Sequence, residues 1–171
     1  MTKALSRSVT GDTDWIVCPG CQAMIYTKRL ARNLHVCPDC GSHHRLTAQQ
    51  RIEQLFDGGR VELLEQPVRS GDPLGFTDTK PYPERLDLAR MATGLAEGVI
   101  VGTGTIDGNP LVAAVMEFRF LGGSLGAAIG ELITRAAEHA LAHRLPLLIV
   151  PASGGARMQE GAIALMQMAK T

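Results

Sequence analysis

Four cysteines in two C-x-x-C turns, Cys18-Pro-Gly-Cys21 and Cys37-Pro-Asp-Cys40, constrain this chain more than any other feature. Each turn presents two sulfurs on one side of a tight knuckle. Two facing knuckles, separated here by fifteen residues, close a tetrahedron around one metal ion. Pro19 and Pro38 pre-set the turns. Two disulfides or a redox C-x-x-C are the competing readings. The stretch from Met1 to Asp14 is polar and lacks the apolar core of a secretion signal, and a redox motif has no reason to occur twice. The spacing therefore favours one Zn2+ per chain, and four protein ligands leave no open position, so the zinc is expected to be structural.

The rest of the chain divides by pattern. Residues 1–14 read as a flexible tail, 15–45 as the zinc ribbon, and 46–171 as a second domain, with a helix and linker over 46–97 and an α/β core over 98–171. Thr47 and Gln50 are spaced as a capping box for a helix whose Ile52, Leu55 and Phe56 share a face, with Gly58-Gly59 predicted to end it. Pro67 to Pro83 is rich in Pro, Gly and Asp and reads as a linker or extended loop; Glu84 to Thr93 is a short helix stopped by Gly94. Val99 to Ile106 and Leu111 to Phe118 read as strands joined at Asp107-Gly108, a hairpin signal. Leu125 to His143 has Leu125, Ile129, Leu132, Ile133, Ala136 and Ala140 on one side of a helix, and Leu147 to Val150 is a buried-type strand. The strand–helix–strand–helix order predicts a right-handed parallel α/β unit. The final helix is still in apolar pattern at Ile163, Leu165, Met166, Met168 and Ala169, so the α/β unit is expected to be incomplete, a fragment or completed by another chain.

Charge sets limits on partners. Lys+Arg and Asp+Glu both total 17, which argues against nucleic-acid binding by the whole molecule. The ribbon is locally basic at Lys28, Arg29, Arg32, Arg45 and Arg51, with His35, His43 and His44 beside them. This is either a solvated face or a phosphate-binding patch for nucleic acid or a nucleotide-bearing ligand. The longest apolar run, Pro146 to Ala152, is too short to cross a bilayer. No membrane insertion and a cytoplasmic location are expected.

Two glycine-rich segments carry the candidate chemistry. Gly122-Gly123-Ser124-Leu125-Gly126 formally contains G-x-S-x-G, but Arg119-Phe120-Leu121 separate it from the strand and no acid–histidine pair follows. A glycine loop at a helix N-terminus, with Ser124 as cap, is the better reading. In Ala152-Ser153-Gly154-Gly155-Ala156-Arg157 a strand ends, two glycines follow and a helix is expected to begin. Paired N–H groups backed by a helix dipole suit an oxyanion. An ordinary strand-to-helix turn and a phosphate loop remain alternatives, the latter without the Walker A lysine.

Taken together, C-P-x-C…C-P-x-C, R-I-E-Q-L-F-D-G-G, D-P-L-x-F-x-D, F-L-G-G-S-L-G, A-S-G-G-A-R-M-Q-E-G and L-M-Q-M-A-K-T resemble one family from Trp15 to Thr171. It is the carboxyltransferase subunit beta of bacterial and plastid-type acetyl-CoA carboxylase. The resemblance implies a zinc ribbon followed by a crotonase-like α/β domain, whose chain in the family continues past M-A-K-T. It implies a heterotetramer with an alpha subunit, working with biotin carboxylase and the biotin carboxyl carrier protein. The implied reaction moves a carboxyl group from carboxybiotin to acetyl-CoA, giving malonyl-CoA for fatty-acid synthesis. Gly154 and Gly155 then match the oxyanion-hole glycines, Gly122, Gly123 and Gly126 a loop near CoA, and Cys18, Cys21, Cys37 and Cys40 the zinc ligands. Pro151 departs from the family, where Ser is common.

Overall fold

The computed structural model describes residues 14–65 and 67–171; the tail expected over residues 1–14 lies, but for Asp14, outside them. Two compact units meet in sequence between Leu46 and Thr47. In the first, strand β1 (Trp15–Val17) pairs antiparallel with β2 (Met24–Tyr26), and a one-and-a-half-turn helix α1 (Thr27–Arg32) follows. Among the described residues its buried centre is Cys18, Ile25, Leu30 and Cys37, with Ile16 packed against them. So small an apolar centre does not hold a fold by itself, which makes the cysteines structural by necessity.

The second unit opens with α2 (Ala48–Leu55), and the predicted capping box is present. The Thr47 hydroxyl accepts the Gln50 N–H at 3.1 Å, and the Gln50 side chain accepts the Thr47 N–H at 2.9 Å. The helix ends at Leu55, earlier than Gly58-Gly59. Phe56 turns extended and becomes buried, and Asp57–Gly59 forms a separate 3₁₀ turn. That turn is held elsewhere: the Asp57 carboxylate accepts the N–H groups of Asp107 and Gly108 at 3.1 and 2.9 Å.

Four strands follow, β3 (Glu62–Leu63), β4 (Val99–Ile106), β5 (Asn109–Met116) and β6 (Leu147–Val150), in spatial order β3-β4-β5-β6. The first three are antiparallel; β5 and β6 are parallel, with Val112 opposite Leu147 and Val115 opposite Val150. The β4–β5 hairpin turns at Asp107 and Gly108, both with positive φ, as a two-residue hairpin requires. Between β3 and β4 lies helix α3 (Tyr82–Thr93), with Pro83 in its first turn and left-handed Gly94 at its end. Helix α4 (Ala127–His143) crosses from β5 to β6, and α5 (Ala162–Lys170) comes last.

The strand alternation explains the layers. Val99, Val101, Val112, Ala114 and Met116 face Ile129, Leu132, Ile133, Ala136 and Ala140 of α4. Ile100, Leu111, Ala113 and Val115 face Ala48, Ile52 and Phe56 on the α2 side. Both faces of β4 and β5 are covered, which is why these strands read as near-continuous apolar runs. The sheet is thus mixed: β5, α4 and β6 form the expected parallel unit beside the expected β4–β5 hairpin. Two further expectations are corrected. β6 is half-buried rather than buried, with Ile149 40% exposed. The last helix starts at Ala162, not directly after Gly154-Gly155, because Arg157, Met158–Glu160 and Gly161 (φ 56) form a bent entry to it in which Arg157 and Glu160 are buried and Met158 is exposed. On α5 only Ala164 and Gln167 are buried. No helix among the described residues is long and apolar enough to cross a membrane.

Candidate functional site

β5 and β6 are parallel neighbours, so the loops leaving them, 117–126 and 151–161, emerge at the same edge of the sheet. The outlet of parallel strands is where open α/β sheets place ligands. Here the loops are zipped together. Leu125 N–H donates to Gly155 O at 2.8 Å, Arg157 N–H donates to Leu125 O at 2.9 Å, and Gly154 N–H donates to Gly122 O at 2.9 Å. Glycine is what lets them approach: a β-carbon on Gly123 would lie 1.8 Å from Ala152 O, and one on Gly126 2.6 Å from a Glu160 carboxylate oxygen.

A buried charged cluster lies beneath the zipper. Arg157 is 0% exposed and Glu160 1%. The Arg157 guanidinium donates through Nε to Ser124 Oγ (3.1 Å), through Nη2 to Ser124 O (2.8 Å), and through Nη1 to Ser70 Oγ (2.8 Å), Tyr82 OH (3.2 Å) and Glu160 Oε1 (3.3 Å). Its Cζ lies 5.7 Å from the Phe120 ring centroid. Glu160 accepts the Tyr82 hydroxyl at 2.5 Å and the Ala127 N–H at 2.5 Å. Burial first, then the bond to Glu160, pushes the Tyr82 hydroxyl well above the ordinary tyrosine range, so it stays a donor. Sequence reasoning singled out none of Ser70, Tyr82, Arg157 and Glu160 for a role. The available signal was a charged pair three residues apart inside a stretch of small residues.

The structure revises the roles read for the glycine loops. Ser124 is not the cap of α4. The N-cap is Gly126, without a side-chain cap bond of its own, and it is Glu160 that takes the first free N–H, at Ala127. Ser124 instead receives Arg157. Gly154 and Gly155 are not at a helix N-terminus, and their N–H groups have acceptors: Gly122 O for Gly154, and Ser153 Oγ at 3.0 Å for Gly155. Gly155, at φ 116, has open space where a β-carbon would be, as does Gly122. Gly123 and Gly126 are instead loop–loop contacts. His139 and His143 stack on each other, 4.0 Å between centroids, and the side chain that meets Ser124 is Arg157.

In the ribbon, all four cysteine sulfurs lie within 4.8 Å of one another and none is in a disulfide. Cys18 and Cys40 are 3.7 Å apart, Cys21 and Cys37 3.9 Å. A tetrahedron with Zn–S bonds of about 2.3 Å has edges of about 3.8 Å, so the four residues fit a zinc ion. The Cys21 N–H leads in lowering the Cys18 thiol to about 6; burial opposes it and the Gly20 N–H adds to it. Cys21 and Cys40 shift the other way, Cys40 to about 12, so one thiolate forms readily and its neighbours give up their protons only as a metal binds. Of the basic residues, Lys28 lies 5.9 Å from the Tyr26 ring centroid and Arg29 pairs with Asp39 at 3.5 Å.

Residues 15–40 match the family described as acetyl-CoA carboxylase zinc finger domain, and residues 45–171 match the carboxyl transferase domain. A protein of Parafrankia sp. named acetyl-coenzyme A carboxylase carboxyl transferase subunits beta/alpha is 63% identical over 99% of this chain and 28% of its own length. A Synechococcus sp. (strain JA-3-3Ab) protein named the carboxyl transferase subunit beta of the same enzyme is 52% identical, over 92% of this chain and 50% of its own length. The chain therefore spans half or less of these relatives. Among solved structures, transcarboxylase 12S with methylmalonyl-coenzyme A and methylmalonic acid bound superposes with a TM-score of 0.58 at 27% identity, covering 84% of this chain and 28% of that one. A Pseudomonas malonate decarboxylase hetero-tetramer in complex with malonate gives 0.52 at 31% identity, over 73% and 44%.

Proposed function

The chain belongs to the carboxyl transferase domain family, and from that premise we propose that it is the carboxyltransferase component of an acetyl-CoA carboxylase. The observation that carries the proposal is that the family match over 45–171 includes both zipped glycine loops. In the reaction, the N–CO2 bond of carboxybiotin breaks, giving CO2 and the biotin enolate. The enolate takes a methyl proton from acetyl-CoA, and the resulting carbanion attacks CO2 to give malonyl-CoA and biotin. Negative charge develops on the thioester oxygen and on the biotin ureido oxygen. A backbone donor fixed in place stabilises such charge by about 3 kcal/mol without an acid or a metal.

We assign the donor role to the Gly154–Gly155 turn. The Gly155 N–H is given to a serine hydroxyl, which releases it by one rotation, while the Gly154 N–H, bonded to Gly122 O, fixes the turn. The open space beside Gly155 is room for a substrate oxygen. We place the CoA contact of the first loop at Gly122, which has open space beside it, rather than at the packed Gly123 and Gly126. Zinc in the ribbon supplies folding energy and takes no part in the transfer. Carboxybiotin on a carrier protein is a co-substrate, and an alpha-type subunit, in a heterotetramer, is the expected partner. Co-expression with such a subunit, followed by malonyl-CoA-dependent carboxylation of biotin, tests the proposal. A correctly assembled, zinc-loaded complex that carboxylates no biotin overturns it.

A further inference from the structure

We infer that Arg157 and Glu160 are positioning residues: their buried ion pair, anchored on Ser70 and Tyr82, holds the Gly154–Gly155 turn in register with the Gly122–Gly126 loop. The inference rests on the reading of these loops as the transfer site. Two full charges removed from water are a poor route to stability, and a well-packed apolar pair of similar volume is commonly as stable. What such a pair supplies is directional bonds. Both residues belong to the second loop, and both reach across to the first. Arg157 binds the carbonyl and hydroxyl of Ser124, while Glu160 binds the N–H of Ala127. Those contacts flank Leu125, whose own N–H and carbonyl bond to Gly155 O and Arg157 N–H. Leu125 is thereby clasped on both sides by its neighbours' bonds, and Gly155 hangs from it.

The clasp is anchored in turn. Ser70 Oγ accepts from Arg157 and donates to Glu97 Oε2 at 2.9 Å, and the Ser70 N–H donates to Glu97 Oε1 at 2.5 Å. Arg90 reaches the Ser70 carbonyl at 3.2 Å and Glu97 at 3.5 Å. The result is an alternating row of charges, Arg90, Glu97, Arg157 and Glu160, strung through one serine and Tyr82. It fixes the two loops to α3 and the segment before it. A lysine at 157 would keep the charge but lose the planar fork that makes these bonds at once.

The test uses the chain assembled with its alpha-type partner. The Arg157→Met/Glu160→Leu double variant removes both charges at nearly constant volume. The expected result is zinc content and melting temperature close to the parent, with kcat about 100-fold lower and KM for malonyl-CoA changed less than about threefold. Faster amide exchange at Gly154 and Gly155 is expected with it. A folded double variant with parental kcat and unchanged exchange overturns the inference. Should the double variant not fold, Arg157→Lys decides: a lower kcat at parental melting temperature supports positioning, and a parental kcat refutes it. If the parent complex itself carboxylates no biotin, the transfer reading fails separately, and exchange at Gly154 and Gly155 then decides positioning alone.

Discussion

A β-carbon built on Gly123 would lie 1.8 Å from Ala152 O, whereas one on Gly155 meets no atom within 4 Å. Gly123→Ala must therefore push two backbones apart, and we expect a loss of about 3 kcal/mol in urea unfolding. Gly155→Ala has only its positive φ to overcome and should cost about 1 kcal/mol. Glu117 offers a pH-dependent counterpart. Its carboxylate accepts the N–H of Ala48 at 3.0 Å and the N–H and Nε of Arg119 at 3.0 and 3.1 Å. Burial pushes its carboxyl up, but the Arg119 and Ala48 bonds outweigh burial and hold it below the usual range. A depressed carboxyl stabilises the fold above its unfolded pKa, and the contribution is lost as pH falls through the folded value. The stability gap between the parent and Glu117→Gln, read from melting temperatures, should thus be full near neutral pH and close in acid. A gap that widens in acid would contradict the assignment. The clustering of Cys18, Cys21, Cys37 and Cys40 was legible in the sequence because their spacing is local. The roles of Arg157 and Glu160 were not, because Ser124, Tyr82 and Ser70 lie 33, 75 and 87 residues from Arg157.

Elements whose signals are local came through from sequence to structure. The capping box at Thr47, the Asp107-Gly108 hairpin and the α4 stripe of Ile129, Leu132, Ile133, Ala136 and Ala140 are set by near neighbours and by burial on one face. Thr47→Ala should cost about 1 kcal/mol in urea unfolding, since it strips the acceptor of the Gln50 N–H. No measurable loss would mean that Gln50 and Glu117 alone hold this end of α2. The elements that were missed or misplaced depend on distant contacts. β3 has two residues and exists because it pairs with Gly102 and Thr103. α5 starts late because the preceding segment is bent to carry Arg157 and Glu160 under the first loop. β6 reads as buried from its composition, yet burial is set by what covers a strand, and here it is partial.

At the scale of the whole molecule, the division between Leu46 and Thr47 separates the four-cysteine unit from one with cores on both faces of a sheet. About one zinc per chain is expected by metal analysis, and a chelator should unfold the ribbon while the unit from Thr47 keeps its cooperative melting. Joint loss of both would show that the second unit depends on the metal as well. The central claim concerns the outlet of β5 and β6. Its most direct test is the rate at which a complex with the alpha-type subunit transfers carboxyl from malonyl-CoA to biotin, compared between the parent and Gly155→Val. A branched side chain there fills the open space beside the proposed donor. The account predicts turnover lower by about 100-fold or more, with zinc content and assembly intact and KM little changed, because the charge being stabilised appears in the transition state. A correctly assembled Gly155→Val complex that turns over at the parental rate would contradict it.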